Sequence, residues 1–308
     1  MIFPLKKIKF SFKQILKNYQ LYLLIMPTFL YFIIFKYIPM YGVLMAFEDY
    51  VPSRGIIGSP WVGLRHFVNF FNSFNFWDLI KNTVYLSVFQ LIITFPFPII
   101  IALMLNELTN EKIKKTIQTI IYAPYFISTV VLVGMMYVFL SPSSGIVNKI
   151  IEAISGNTID FFSAPEWFRP LYIISSLWQG TGFGTVIYMA ALASVDPQLH
   201  EAAIVDGASK LKRIFVIDLP AIMPVIIIQL ILAVGNIMNV GFEKTFLMQT
   251  PLNLDVSEII QTYVYKAGLL QAQYSFSTAV GLFNAVINFI LLITVNALVK
   301  KISETSLW

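Results

Sequence analysis

Five long runs without a charged residue constrain the fold of this 308-residue chain more than any other feature. They cover residues 82–106, 116–148, 170–195, 219–242 and 267–299. A membrane-spanning helix needs about 20 mostly apolar residues, and each run is long enough. A sixth candidate, 18–35, continues beyond Lys36, whose side chain can reach water from near a membrane face. The sequence therefore predicts an all-α polytopic membrane protein with six transmembrane helices, at 19–45, 82–106, 117–140, 170–194, 219–241 and 274–299.

The composition agrees with a bilayer as the solvent and excludes several classes of function. Only 12% of the residues are charged and 57% are hydrophobic, whereas a soluble domain has roughly 25% charged residues. There is no cysteine, which excludes disulfides, thiolate zinc sites and cysteine nucleophiles. His66 and His200 are too far apart for a helical metal motif, and no phosphate-binding P-loop sequence occurs. Since no paired-carboxylate or triad pattern supports a membrane-embedded enzyme either, we expect no catalytic residue, cofactor or metal in this chain.

The distribution of basic residues between the predicted helices predicts the orientation. One side of the membrane receives the N-terminal segment, the 107–116 and 195–218 loops and the C-terminal tail. These parts contain 13 of the 21 lysine and arginine residues, and the loops on the opposite side contain six. By the positive-inside rule, both termini and the 195–218 loop lie in the cytoplasm. This predicts a basic cytoplasmic segment at 1–18, a single membrane domain at 19–300 and a cytoplasmic tail at 301–308.

A charged stretch joins the fourth predicted span to the fifth. Asp196 followed by Pro197 is typical of a helix start, because aspartate can cap the first free amide groups and proline fits the first turn. Good helix formers follow at 198–205, and Gly207 permits the left-handed turn that ends a helix. A second short helix is predicted at 209–214. We therefore expect a helix, a glycine turn and another helix just inside the cytoplasmic membrane face.

The same loop contains a pattern that resembles a known family. It reads E-A-A, three residues, G, nine residues and I-x-L-P, from Glu201 to Pro220. This is the cytoplasmic signature of permease subunits of binding-protein-dependent ABC importers. Nearly the whole chain resembles the maltose-like carbohydrate-uptake permeases, in particular the polysaccharide and complex-oligosaccharide group. The supporting stretches are PMYGVLMAFEDY (39–50), GSPWVGLRHFVNFF (58–71), APEWFR (164–169) and SETSLW (303–308).

The resemblance implies the six-helix fold of a type I ABC importer, with 196–218 as its cytoplasmic EAA coupling loop. In such permeases this loop docks into a groove on a separate ATPase subunit. The matching residues in this sequence are Glu201, Ala202, Ala203, Asp206 and Gly207. The other interpretation is an ordinary solvated loop whose charges only set the membrane orientation.

The resemblance also implies the partners of the chain. They are a second, different permease chain, two ATPase subunits that bind ATP and Mg, an extracellular solute-binding protein, a carbohydrate and the lipid of a bacterial plasma membrane. Because the basic residues are scattered between apolar runs, we expect no nucleic-acid partner. The chain would form half of a path that ATP-driven closure of the ATPases rocks between inward and outward openings.

Most polar residues inside the predicted spans are uncharged amides, which are candidates for contacts with a solute. On the fifth span, Gln229, Asn236 and Asn239 are spaced to lie roughly on one helix face, and Glu243 follows near the outer gate. Amides suit a neutral, hydroxyl-rich solute, but they suit hydrogen bonds between helices equally well. The alternative function is a stand-alone secondary carrier or channel. Such carriers usually keep ionisable residues at membrane depth, which these spans almost entirely lack.

Overall fold

The computed structural model describes residues 19–302 and 306, and its backbone there is helical apart from turns and short irregular links. In these ranges the one β-type contact is an isolated antiparallel bridge between Glu48 and Trp61. The predicted all-α class is therefore confirmed. The predicted N-terminal segment, 1–18, and most of the predicted tail, 301–308, lie outside the described residues.

Four of the helices are long and apolar enough to cross a membrane, namely α1, α4, α10 and α14 in the numbering that follows. In chain order the helices are α1 (Tyr19–Phe47), α2 (Gly55–Gly58), α3 (Arg65–Phe71), α4 (Phe76–Asn106), α5 (Glu111–Phe126), α6 (Thr129–Phe139), α7 (Ile146–Ser155), α8 (Pro165–Leu192), α9 (Pro197–Val205), α10 (Lys210–Gly235), α11 (Phe242–Met248), α12 (Leu254–Ser257), α13 (Ile260–Tyr265) and α14 (Tyr274–Ile302). The helices α1, α4 and α14 agree in position with the first, second and sixth predicted spans.

The third predicted span, 117–140, is broken in the structure. The helices α5 and α6 meet at an angle of 96°, and they amount to a fifth span only if they are counted together. Pro124 lies in the tight last turn of α5, and Ile127 is extended. Ser128 then caps α6 by accepting a hydrogen bond from the amide of Val131 at 3.3 Å. A proline that cannot continue the helix and a new N-cap together explain the bend.

The fourth predicted span, 170–194, coincides with the 28-residue helix α8. This helix runs through Pro170 without a break. Its serine, threonine, glycine and glutamine residues lower its hydropathy, so it is absent from the helices that qualify as spans by composition. It packs against α4, α5 and α10 and buries eight of its own residues. The predicted count of six spans is thus not fully confirmed, because α8 contains too many small and polar residues to qualify by composition.

Close packing of α8 depends on a small residue at one position. A Cβ atom on Gly182 would lie 1.7 Å from the carbonyl oxygen of Ile121 in α5. Small residues allow two helices to approach this closely in a membrane protein. Further along, Tyr188 and Leu192 of α8 pack with Ala102 of α4 and Ile222 of α10 in one buried cluster. The helix α8 is therefore the central element around which α4, α5 and α10 are arranged.

The fifth predicted span, 219–241, differs from the structure at both ends. The helix α10 begins at Lys210, because a π-helical turn at Ile214–Asp218 joins the predicted short helix to the span without a break. It ends at Gly235, and Asn236 follows as its C-cap in a turn. The result is one continuous helix of 26 residues that begins in the charged loop.

Candidate functional site

The charged loop forms the predicted helix and glycine turn. The carboxylate of Asp196 accepts a hydrogen bond from the amide of Gln198 at 2.9 Å and so caps α9. At the other end, Gly207 has a φ of 74°, and the amide of Ala208 donates to the carbonyl of Ala203 at 2.8 Å. A residue in this left-handed region usually has to be glycine. The local sequence rules therefore account for both ends of α9.

The outer surface of α9 is open to solvent. Glu201, Ala202, Asp206 and Gly207 are exposed, and Ala203 is half-buried. Three apolar side chains beside them are also exposed: Leu199 at 53%, Ile204 at 56% and Val205 at 87%. Neither Glu201 nor Asp206 forms an ion pair with a described residue. This helix presents small, apolar and acidic groups together, which is a surface suited to contact with another protein.

The inner surface of α9 contacts a polar cluster in which Asp218 is buried and the other members are half-buried. His200 Nε2 lies 3.2 Å from Oδ1 of Asp218, whose side chain is only 1% exposed. The amide of Asn106, at the end of α4, donates to the same oxygen at 3.5 Å. Beside them, Arg213 pairs with Glu107 at 3.6 Å. The cluster connects α9 to the ends of α4 and α10, and no sequence pattern pointed to His200 as part of it.

A cavity of about 880 Å³ lies between α4, α8 and α10. Gln229, Asn236 and Asn239 all line this cavity, together with Gln90 of α4 and Tyr188 of α8. The spacing predicted that these residues share one continuous helix face. Because α10 ends at Gly235, Asn236 and Asn239 instead reach the cavity from the turn that follows the helix. The three predicted amides nevertheless face one space.

The amides also bond to one another across elements. Oδ1 of Asn239 accepts hydrogen bonds from Gln261 at 2.9 Å and from Asn284 of α14 at 3.0 Å, and its Nδ2 donates to Asn236. The amide oxygens of Gln261 and Asn284 are buried without a described partner. The interpretation as hydrogen bonds between elements is therefore confirmed for Asn239, and contact of these cavity-lining amides with a solute stays a prediction.

A second cavity, of about 540 Å³, adjoins the first through Gln90, which lines both. Its wall contains Ser176 and Gln179 of α8 and the exposed side chain of Glu243 at the start of α11. The structure thus places Glu243 in this neighbouring cavity, apart from the other three predicted path residues. The polar lining of the second cavity is richer in hydroxyl and carboxylate groups.

Lys244, the residue after Glu243, is buried behind this wall. Its side chain is 7% exposed, and its Nζ donates to Ser176 Oγ at 2.7 Å and to the carbonyl of Tyr172 at 3.0 Å. The ammonium group also lies 4.7 Å from the centre of the Tyr172 ring. Lys244 lies outside the spanning helices, and burial lowers its pKa to about 7. From sequence alone, this lysine counted only toward the orientation of the chain.

Comparison with known proteins decides the family. The family model described as the inner membrane component of binding-protein-dependent transport systems matches residues 95–304. The chain belongs to this family. It is therefore the membrane permease subunit of an ABC importer and not an enzyme, since ATP hydrolysis in such importers resides in a separate subunit. This membership removes the stand-alone carrier and the membrane-embedded enzyme as alternatives.

Individual relatives cover almost the full length of the permease. The polygalacturonan/rhamnogalacturonan transport system permease protein YteP of Bacillus subtilis (strain 168) is 45% identical over 307 residues, which are 100% of this chain and 96% of YteP. Protein LplB of the same organism is 46% identical over 288 residues, 94% of this chain and 91% of LplB.

Solved structures agree with the fold. A bacterial ABC transporter involved in the import of the acidic polysaccharide alginate contains a chain that is 41% identical, with a TM-score of 0.88 over 94% of this chain and 98% of that chain. The alginate transporter in complex with its periplasmic protein, which carries an alginate pentasaccharide, gives a TM-score of 0.88 at 40% identity over 96% of this chain and 99% of that chain. The type I importer fold is therefore confirmed for this permease.

Proposed function

We propose that this permease forms one half of the translocation path for an oligosaccharide. It would work with a second, different permease chain, two ATPase subunits that bind ATP and Mg, and an extracellular solute-binding protein. The observation that carries the proposal is the single helix α10, which begins at the charged loop and ends at the amide-lined cavity. The saccharides named for YteP and for the alginate transporter support the substrate class.

We propose that the exposed face of α9 is the surface that couples this permease to the ATPase. Glu201, Ala202, Ala203, Asp206 and Gly207 would meet the ATPase groove. Exposed apolar neighbours would supply buried area in that contact, and the carboxylates would supply orientation. Behind this face, the His200–Asp218 contact at 3.2 Å passes movement of α9 to α10.

The helix α10 then connects the two sites mechanically. With a rise of about 1.5 Å per residue, its 26 residues extend for about 39 Å. Movement of α10 at Lys210 would therefore displace Asn236 and Asn239, which follow the last residue of the helix. Such rigid-body motion of helices is a common way in which transporters alternate between two openings.

The cavity gives the solute its contacts in this proposal. Gln229, Asn236 and Asn239 offer amide donors and acceptors to sugar hydroxyls, and Glu243 offers acceptors in the adjoining cavity. A volume of about 880 Å³ lies within the roughly 300–1,000 Å³ of small-molecule sites. Such a volume accommodates a short saccharide, and the second permease chain would complete the enclosure.

We place the permease in a bacterial plasma membrane, with both termini and α9 in the cytoplasm, as the basic residues predict. The single membrane domain, 19–300, would then contain both the coupling loop 196–218 and the path. No residue of Tyr19–Phe32 is buried within this chain. This apolar segment would lie against lipid and the second permease chain.

The coupling assignment can be tested with two substitutions in α9 and its turn. In proteoliposomes containing the full transporter, Gly207→Trp and Glu201→Lys should each lower ATP-driven uptake by about tenfold or more, because both disturb a protein–protein contact. Membrane insertion should be unchanged. ATP hydrolysis should no longer respond to the loaded binding protein.

The chain offers matched controls for both substitutions. Gly156 ends α7 with the same φ of 74° and has equally open space around it, so Gly156→Trp introduces the same backbone strain away from the coupling loop. Glu152 is an exposed carboxylate on α7, which makes Glu152→Lys the charge control. Normal uptake by the Gly207 and Glu201 variants, or equal loss in the controls, would contradict the coupling assignment.

A further inference from the structure

Lys244 differs from the basic side chains that form ion pairs in what surrounds its charge; Arg169 likewise has only neutral partners, but Lys244 is more deeply buried. Arg65, Arg213 and Lys266 lie 3.1, 3.6 and 2.7 Å from the carboxylates of Asp49, Glu107 and Glu258. Lys244 is more deeply buried than any of these three, yet no carboxylate of a described residue lies within 4.0 Å of its Nζ. Its neighbours are a hydroxyl, a carbonyl and an aromatic ring, all neutral.

A buried ammonium without a counter-charge is unfavourable, because neutral dipoles replace only part of the hydration that it loses. An anion brought to this position would therefore gain an interaction that the empty protein lacks. In low-dielectric surroundings that interaction is also stronger than the same contact in water. With a pKa lowered to about 7 by burial, the Lys244 amine is only partly charged near neutral pH, and an anionic ligand would stabilise its charged form.

The position of Lys244 determines which ligand can reach it. Ser176 Oγ, which accepts a hydrogen bond from Nζ at 2.7 Å, lines the second cavity. The amino group is therefore separated by one hydroxyl from the second cavity, which shares the lining residue Gln90 with the amide-lined cavity. Lys244 itself does not line that space, so the contact requires its flexible four-methylene side chain to rotate past Ser176 Oγ.

We infer that the transported saccharide carries a carboxylate, and that Lys244 is the specificity-determining residue that binds this carboxylate in the second cavity. The inference rests on the proposed oligosaccharide import and adds the charge of the solute to it. The ligand class is an oligosaccharide that contains uronic acid units.

The carboxylate of Glu243 in the same cavity does not cancel this preference. Glu243 is exposed, so solvent and ions screen its charge, whereas the charge of Lys244 is buried and poorly screened. The two groups would bind different parts of the sugar. Lys244 would bind its carboxylate, and Glu243 would accept hydrogen bonds from its hydroxyl groups. A neutral sugar could use only the second contact.

The experiment compares saccharides that differ only in charge. The full transporter is reconstituted with saturating binding protein and offered short oligomers of galacturonate and of alginate, each as the free acid and as the neutral methyl ester, and maltotriose as a further neutral sugar. We expect the wild-type transporter to import one of the acids about tenfold faster than its ester, because the ester loses the ion pair. Lys244→Met should bring this ratio close to one, and Lys244→Arg should retain most of it.

A matched lysine controls for the substitution itself. Lys266→Met removes a lysine that is already paired with Glu258 and lines neither of these two cavities, so it should leave the acid-to-ester ratio unchanged. Because every variant uses the same binding protein, the selectivity of that protein cancels between variants.

The outcomes separate the inference from the proposed function. An unchanged ratio in Lys244→Met, or wild-type import of esters or maltotriose at least as fast as of the acids, would overturn the role of Lys244 but leave oligosaccharide import standing. If the Lys244 variants do not assemble, the wild-type ratio alone still decides the charge of the solute. Import of none of these saccharides would overturn the proposed function and the inference with it.

Discussion

The buried charges near the two ends of α10 differ in their surroundings. Near the start of α10, the buried carboxylate of Asp218 has His200 at 3.2 Å and Asn106 at 3.5 Å. At the far end, beyond the turn that follows α10, the buried ammonium of Lys244 has only neutral partners. The first arrangement gives one oxygen of the charge partners from the same chain, although Oδ2 of Asp218 is buried without a described partner. The second leaves a charge that no described residue neutralises.

This difference distinguishes a buried charge that holds structural elements together from one that is available to a ligand. A buried ion with a partner resists the loss of that partner, because an unpaired charge in the interior is costly. A buried ion without a partner has already incurred this cost, so removing the ion does not destabilise the fold in the same way. Lys244 is natively in the state that Asp218 would enter if His200 were removed.

The largest expected effect comes from removing His200. His200→Ala leaves the buried Asp218 without its closest partner, and we expect it to lower the free energy of unfolding by about 3 kcal/mol. The double variant His200→Ala/Asp218→Ala removes the stranded charge as well and should be more stable than His200→Ala alone. Thermal unfolding of the purified permease in detergent measures both. Simple additivity of the two single substitutions would show that the residues are not coupled.

The sequence predicted these regions unequally, for a physical reason. Local rules located α9, because the cap at Asp196 and the turn at Gly207 depend on neighbours within a few residues. They also located α1, α4 and α14, which are long uninterrupted apolar helices. The predicted spans missed the early end of α10 at Gly235, which no local signal marks. They also missed the bend between α5 and α6, because the apolar run continues across its local causes, Pro124 and the cap at Ser128.

The charges were the hardest part to predict. His200 and Asp218 are 18 residues apart, and Lys244 meets Ser176 across 68 residues of sequence. Counting lysines and arginines can orient the chain, but it cannot show which of them is buried. Spacing along the sequence predicted a shared face for the amides Gln229, Asn236 and Asn239. All three line one cavity, although a turn and not a helix brings the two asparagines there.

A smaller effect tests the unpaired end. Lys244→Met replaces a buried ammonium by an unbranched apolar side chain, and we expect the melting temperature of the permease to stay equal or to rise. Lys266→Met breaks the 2.7 Å ion pair between Lys266 and Glu258, in which the two side chains are 26% and 21% exposed. It should lower the free energy of unfolding by about 0.5–1 kcal/mol. Thermal unfolding of the two variants side by side is the measurement. A larger loss in Lys244→Met than in Lys266→Met would mean that Lys244 stabilises the fold and that the contrast between the two ends is wrong.

The smallest expected effect identifies which contact of Asp218 matters. Asn106 donates to Oδ1 of Asp218 at 3.5 Å, which is long for a hydrogen bond, whereas His200 approaches the same oxygen to 3.2 Å. Asn106→Ala should therefore change the free energy of unfolding by less than about 0.5 kcal/mol, since a bond this long contributes little. It should also leave the coupling between His200 and Asp218 intact when the double variant is repeated in its background. A loss as large as that of His200→Ala would instead assign the stability of this end of α10 to the contact between α4 and α10, and the contact of α9 with Asp218 would then contribute little.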